Sequence, residues 1–142
     1  MPSNLAAGSL FERQMAKMLA DDGFWALVVP RNAGGQQPAD ILAVKGKYHV
    51  LIDCKVVSGD RFPFDRVEDN QHYAMGKFFE IGGEVGWFAL LLPDGEVRML
   101  DLETVELLED DDKKSLSVKD LKDSYYTRSF QDWRERVNDL CE

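Results

Sequence analysis

Two carboxylates and an ammonium fall where hydrolysis could use them: Asp40 at the mouth of one apolar run, Asp53 near the end of the next, and Lys55 two residues beyond. The stretch from Pro38 to Lys55 is two β-branched and aliphatic runs around Gly46, the signature of a hairpin. A two-residue turn at Gly46-Lys47 with glycine first suits a type II′ loop; residue i then pairs with residue 93 − i, so Asp40 faces Asp53. Directly opposed side chains have Cβ atoms roughly 4.5 to 5.5 Å apart, and like charges so placed repel. The pair therefore makes sense with a cation between its oxygens. Hard oxygen ligands favour Mg²⁺, which takes one or two carboxylates and fills its shell with water and phosphate oxygens. The strand's period of two puts Lys55 on the face of Asp53, where an ammonium can hold an attacking water or neutralise phosphate charge.

The elements that must position these groups follow from periodicity. Leu5 to Asp22 is predicted as a helix, with Phe11, Met15, Met18 and Leu19 at helical spacing and Gly23 as its stop. Glu12 borders that stripe, and reads either as a carboxylate reaching the rim of a site on the sheet or as a boundary residue paired with Arg13 or Lys17. Phe24 to Val29 is a first strand, and Pro30 to Pro38 is a polar, glycine-containing loop carrying Arg31. Val56 to Asp65 reads as irregular. A helix from about Arg66 to Ile81 has the stripe Val67, Gln71, Ala74 and Phe78. Gln71 in that stripe must find partners, at a core carbonyl or in a polar cavity.

Gly82-Gly83 stops that helix, Val85 to Leu92 and Val97 to Leu102 are strands joined by Pro93-Asp94-Gly95-Glu96, and Ser117 can cap a short helix through Lys122. Phe130, Trp133, Val137 and Leu140 mark a C-terminal helix over about 129–140, which completes the core or serves as a subunit contact.

Bulk composition narrows the class. The 142 residues fit a single domain over 1–142 that can bury a core without staples. Two cysteines give neither a disulfide framework nor zinc spacing, so a reducing cytoplasm is the expected home. No stretch approaches the roughly 20 apolar residues of a membrane span. With 17 Lys and Arg against 26 Asp and Glu, the net charge of −9 argues against nonspecific coating of nucleic acid, though not against a local basic face. The run Glu109-Asp110-Asp111-Asp112 reads as a solvated loop in preference to a second metal site. Two histidines, no Gly-x-Ser-x-Gly and no phosphate-cradling glycine loop leave other catalytic constellations without support.

The order helix with Glu, strand, Asp, hairpin, Asp-x-Lys, helix, strand resembles the PD-(D/E)xK nuclease superfamily. The first half is similar to archaeal Hjc-type Holliday junction resolvases through Gly8-Ser9-Leu10-Phe11-Glu12-Arg13, Asp22-Gly23-Phe24, Arg31, Asp40-Ile41 and Ile52-Asp53-Cys54-Lys55. The second half looks more like bacterial RecU resolvases through Phe62-Pro63-Phe64, Asn70-Gln71, Ile81-Gly82-Gly83 and Lys114-Ser115-Leu116.

The resemblance implies an α/β (α+β) restriction-endonuclease-like fold, a mixed sheet of about five strands flanked by helices. It implies a DNA endonuclease using Mg²⁺ or Mn²⁺, resolving branched DNA as a homodimer in recombination and repair. Asp40, Asp53 and the Cys54 backbone carbonyl would hold the metal, with Glu12 binding directly or through water. Lys55 would be the catalytic lysine with Gln71 beside it, and Arg31, Lys45, Lys47 and Arg61 would contact phosphates. Two departures stand beside it: the loop of Asn32 to Gln37 is short and lacks a serine, and the chain is acidic. The alternatives are the same site acting on flaps, single strands or linear DNA, and a nuclease fold kept for binding without turnover.

Overall fold

The computed structural model describes residues 4–30 and 37–141, with side chains from residue 7 onward. Its centre is a six-stranded mixed sheet in the order β1-β2-β3-β5-β6-β8. Helix α1 (Asn4–Asp21) leads into β1 (Trp25–Val28), and the hairpin follows as β2 (Ile41–Lys45) and β3 (Tyr48–Val56). The hairpin keeps the expected register, from Ile41 opposite Ile52 to Lys45 opposite Tyr48. Gly46 takes φ +59° while Lys47 stays at negative φ, as a type II′ turn requires.

After β3 the chain forms β4 (Arg61–Pro63), a 3₁₀ turn at Phe64–Arg66, and helix α2 (Asp69–Glu80). This corrects the irregular reading of Val56 to Asp65. The helix starts at Asp69, not Arg66, because Glu68 and Gln71 close a capping box across its first turn. Its buried residues are Gln71 and Met75, so Met75 takes the inward position expected of Ala74. The chain then returns in β5 (Trp87–Leu91), parallel to β3, and α2 lies within the crossover such pairing needs.

Strand β6 (Val97–Asp101) pairs antiparallel with β5. It runs directly into α3 (Leu102–Asp110), capped by Asp101 accepting from the Thr104 amide at 2.6 Å. Periodicity left this helix unread. Glu109 and Asp110 therefore end a helix instead of belonging to a loop, although the whole acidic run is exposed. Strand β7 (Ser115–Ser117) pairs with β4 as a separate two-stranded ribbon, followed by α4 (Val118–Leu121), β8 (Arg128–Ser129) and α5 (Phe130–Cys141). Ser117 caps α4 as expected, accepting from the Asp120 amide at 3.1 Å.

Two cores sandwich the sheet. Phe11, Met15 and Leu19 of α1 and Trp133 and Val137 of α5 pack on one face with Ile41, Val50 and Ile52. Met75, Val105, Leu121 and the ribbon residues Phe62 and Leu116 pack on the other with Leu51 and Phe88. Leu140, expected in the α5 stripe, is 68% exposed. Among the described residues no helix is long and apolar enough to cross a membrane.

Candidate active site

Strand alternation decides which side chains meet. Leu51 belongs to the core beneath α2 whereas Val50, Ile52 and Cys54 belong to the other, so Asp53 and Lys55 project toward α2. The β2–β3 ladder stops at Ile41 opposite Ile52. One residue further Asp40 substitutes its side chain for the ladder, accepting from the Cys54 amide through Oδ2 at 2.7 Å. Both carboxylates are buried, Asp53 to 2% exposure.

Gln71 arrives from the first turn of α2 and ties the group together. Its Nε2 donates to Asp53 Oδ1 at 3.0 Å, while its Oε1 accepts from Lys55 Nζ at 3.2 Å and from the Glu68 amide at 3.1 Å. Of the two partners left open for this glutamine by its sequence position, the polar cavity is the one it meets. Lys55 Nζ also lies 3.0 Å from Asp53 Oδ2 and lowers the Asp53 carboxyl against the effect of burial. The contact is a close, buried ion pair.

These groups line a cleft of about 580 Å³. Glu12 enters it from α1, buried and within hydrogen-bonding reach of Asp40. Burial, reinforced by repulsion from Asp53, raises the Asp40 carboxyl from its ordinary 3.8 to about 7. Burial also raises Asp53, outweighing the lowering by Lys55. The Cys54 thiol is pushed well up, chiefly by burial and then by the two aspartates, so it stays neutral. Two buried carboxylates that repel each other are costly to ionise. Such a pair fits a divalent cation. Among the described residues no three His, Cys, Asp or Glu side chains gather into a protein-only metal cage, so part of the ligand shell would come from elsewhere.

The expected phosphate contacts separate. Arg61 lines the cleft, its Nη1 hydrogen bonded to Ser115 Oγ across the ribbon. Lys45 does not reach it: its ammonium bonds the Asp22 carbonyl and Asn138 Oδ1, and lies 5.4 Å from the Phe24 ring centre. Lys47 is exposed in the hairpin turn, roughly 20 Å along the hairpin from Asp40 at about 3.3 Å per residue. Arg31 lies outside the described residues. Sequence reasoning missed Arg66, which lines the cleft and donates to the Val56 carbonyl at 2.7 Å. It also missed Glu68, whose capping-box spacing to Gln71 was the available signal.

A family model, archaeal Holliday junction resolvase (Hjc), matches residues 3–128. The chain belongs to that family. It is a family of metal-dependent nucleases acting on DNA phosphodiester bonds. The match spans both the Hjc-like first half and the part resembling RecU. Among solved structures, Hjc from Archaeoglobus fulgidus, a Holliday junction resolvase from an archaeal hyperthermophile, superposes with a TM-score of 0.63. It is 22% identical, over 85% of this chain and 93% of that one, and so supports the fold. No curated protein matches by sequence.

Proposed function

We propose that the cleft cleaves four-way DNA junctions, with Asp40 and Asp53 as ligands of a Mg²⁺ ion and Lys55 as the catalytic lysine. The observation that carries this reading is the pair of buried, mutually repelling carboxylates Asp40 and Asp53, with Lys55 Nζ 3.0 Å from Asp53 Oδ2. The Cys54 carbonyl would be a third ligand, and Glu12 would reach the ion directly or through water. Two carboxylates with remaining positions left to water and phosphate suit Mg²⁺, and Mn²⁺ substitutes for it. When bound, such an ion polarises a phosphoryl oxygen and acidifies its water.

The chain's own residues supply the rest. Asp40 and Asp53 present negative oxygens at fixed positions, since the Cys54 amide holds one and Gln71 the other. Lys55, held by Gln71, neutralises charge that builds on the phosphate as the bond breaks. Arg61 and Arg66 on the rim attract the backbone without reading its sequence. Cutting two strands symmetrically needs two such sites about a two-fold axis, hence a homodimer.

The test offers purified protein and Mg²⁺ to a synthetic four-way junction, a flap and a linear duplex. Cleavage of the junction by wild type, lost in Asp53→Asn, is the expected result. Equal activity of the two proteins ends the proposal, and cleavage of flap or duplex with the junction left intact reassigns the substrate.

A further inference from the structure

Two sequence motifs remain unused by the catalytic centre, and the fold pairs them. Phe62-Pro63-Phe64 and Lys114-Ser115-Leu116 meet in the β4–β7 ribbon, with Arg61 opposite Ser117, Phe62 opposite Leu116 and Pro63 opposite Ser115. Phe62 and Leu116 are fully buried and root the ribbon in the core. Alternation then turns Arg61 and Ser115 outward, where they hydrogen bond.

The ribbon separates the catalytic cleft from a second recess of about 480 Å³, and Arg61 and Pro63 line both. Lys113 and Lys114 line that recess, so cationic side chains continue past the cleft. Elsewhere in this acidic chain cations are mostly engaged: Lys17, Lys45, Lys122, Arg128, Arg134 and Arg136 each pair with a carboxylate. Among the described residues Arg61, Lys113 and Lys114 have no carboxylate partner; Lys47, Arg66, Lys77 and Lys119 share that, but only the first three line the second recess. Lys113 rests over the Tyr126 ring, 5.7 Å from its centre, which leaves its charge intact.

We infer that the β4–β7 ribbon is a phosphate-binding rail, on which Arg61, Lys113 and Lys114 hold the sugar–phosphate backbone of a DNA arm as it leaves the cleft. The inference rests on the DNA-cleaving reading of the cleft. Backbone is favoured over bases because the ribbon's aromatic residues, Phe62 and Phe64, are buried and offer no stacking platform. Asp65, Glu109 and Asp112 also line the recess. Glu109 is turned toward His72 at 3.7 Å, and together these acids repel phosphate and confine the arm to the ribbon side. Such a rail orients DNA without specifying its sequence.

Binding of a labelled four-way junction, measured without cleavage while salt is raised, tests the rail. Each lost phosphate contact lowers the slope of log K against log salt by about 0.9 and the affinity near 0.1 M salt by roughly eightfold. The Lys113→Ala/Lys114→Ala protein is expected to lose nearly two units of slope. Lys77→Ala, exposed on α2 and outside both cavities, is expected to keep the wild-type slope. A double variant with wild-type slope and affinity overturns the rail while leaving cleavage by the wild type standing. Wild-type protein that neither binds nor cuts the junction overturns the parent reading and the rail together.

Discussion

Gln71 spans the two charged partners of the cleft, donating to Asp53 at 3.0 Å and accepting from Lys55 at 3.2 Å. An amide does both at once because it carries a donor and an acceptor on one plane. The same Oε1 caps α2 through the Glu68 amide, so helix start and site geometry share one side chain.

Gln71→Ala should therefore damage both. Loss of the buried hydrogen bonds and the cap is expected to cost about 1–3 kcal/mol, seen as a lower denaturant midpoint. Junction cleavage should fall by more than that unfolding explains at temperatures where the variant is folded. A variant with full cleavage would remove Gln71 from the site.

The carboxylate pair predicts an unusual pH dependence for the metal-free protein. Asp40 is raised from 3.8 to about 7 on folding, so the folded state binds its proton more tightly than the unfolded state. That contribution to stability is complete below about pH 4 and is lost as pH rises through 7. Asp40→Asn should flatten this fall, measured as the difference in melting temperature between the two proteins from pH 5 to pH 8. Added Mg²⁺ should stabilise the wild type increasingly over the same interval, since the ion takes the deprotonated pair.

Lys45 should behave as a structural residue. Its ammonium joins the Asp22 carbonyl to Asn138 on α5, so Lys45→Ala is expected to lose roughly 1–3 kcal/mol of stability while junction affinity stays at the wild-type value. A fall in affinity with unchanged stability would return Lys45 to the DNA path.

A substitution outside the cleft should also reach it. A Cβ on Gly86 would collide with Met75 Sδ and stand 2.9 Å from Met75 Cβ, too close for the side-chain tip alone to yield. Met75 lies one helical turn beyond Gln71. Gly86→Ala is expected to destabilise by about 1–3 kcal/mol and, by shifting α2, to slow cleavage at saturating DNA. Unchanged cleavage would show that α2 absorbs the displacement without moving Gln71.

What the sequence disclosed was local. The hairpin register followed from Gly46 and a two-residue turn, from Lys45 opposite Tyr48 to Ile41 opposite Ile52, with Asp40 one residue beyond the last pair. The stripe of α1 held at Phe11, Met15 and Leu19. The ribbon escaped because three-residue strands about fifty positions apart carry no periodic signal of their own. Helix α3 escaped because its apolar positions run on from β6, although Asp101 three residues before Thr104 spelled a cap. The place of Lys45 away from the cleft was not legible because its partners, Asp22 and Asn138, come together only in the tertiary fold.

Strand β3 pairs with β2 only as far as Ile52 and with β5 from Ile52 onward. Asp53 and Lys55 therefore ride past the end of the hairpin ladder, held by β5 on one side while the Asp40 side chain alone takes the Cys54 amide on the other. Deuterium exchange at the Cys54 amide should report local opening beside Asp40, so that the reactive geometry can be lost before the fold is. Asp40, just beyond the last ladder pair of β2, is the member free to loosen first.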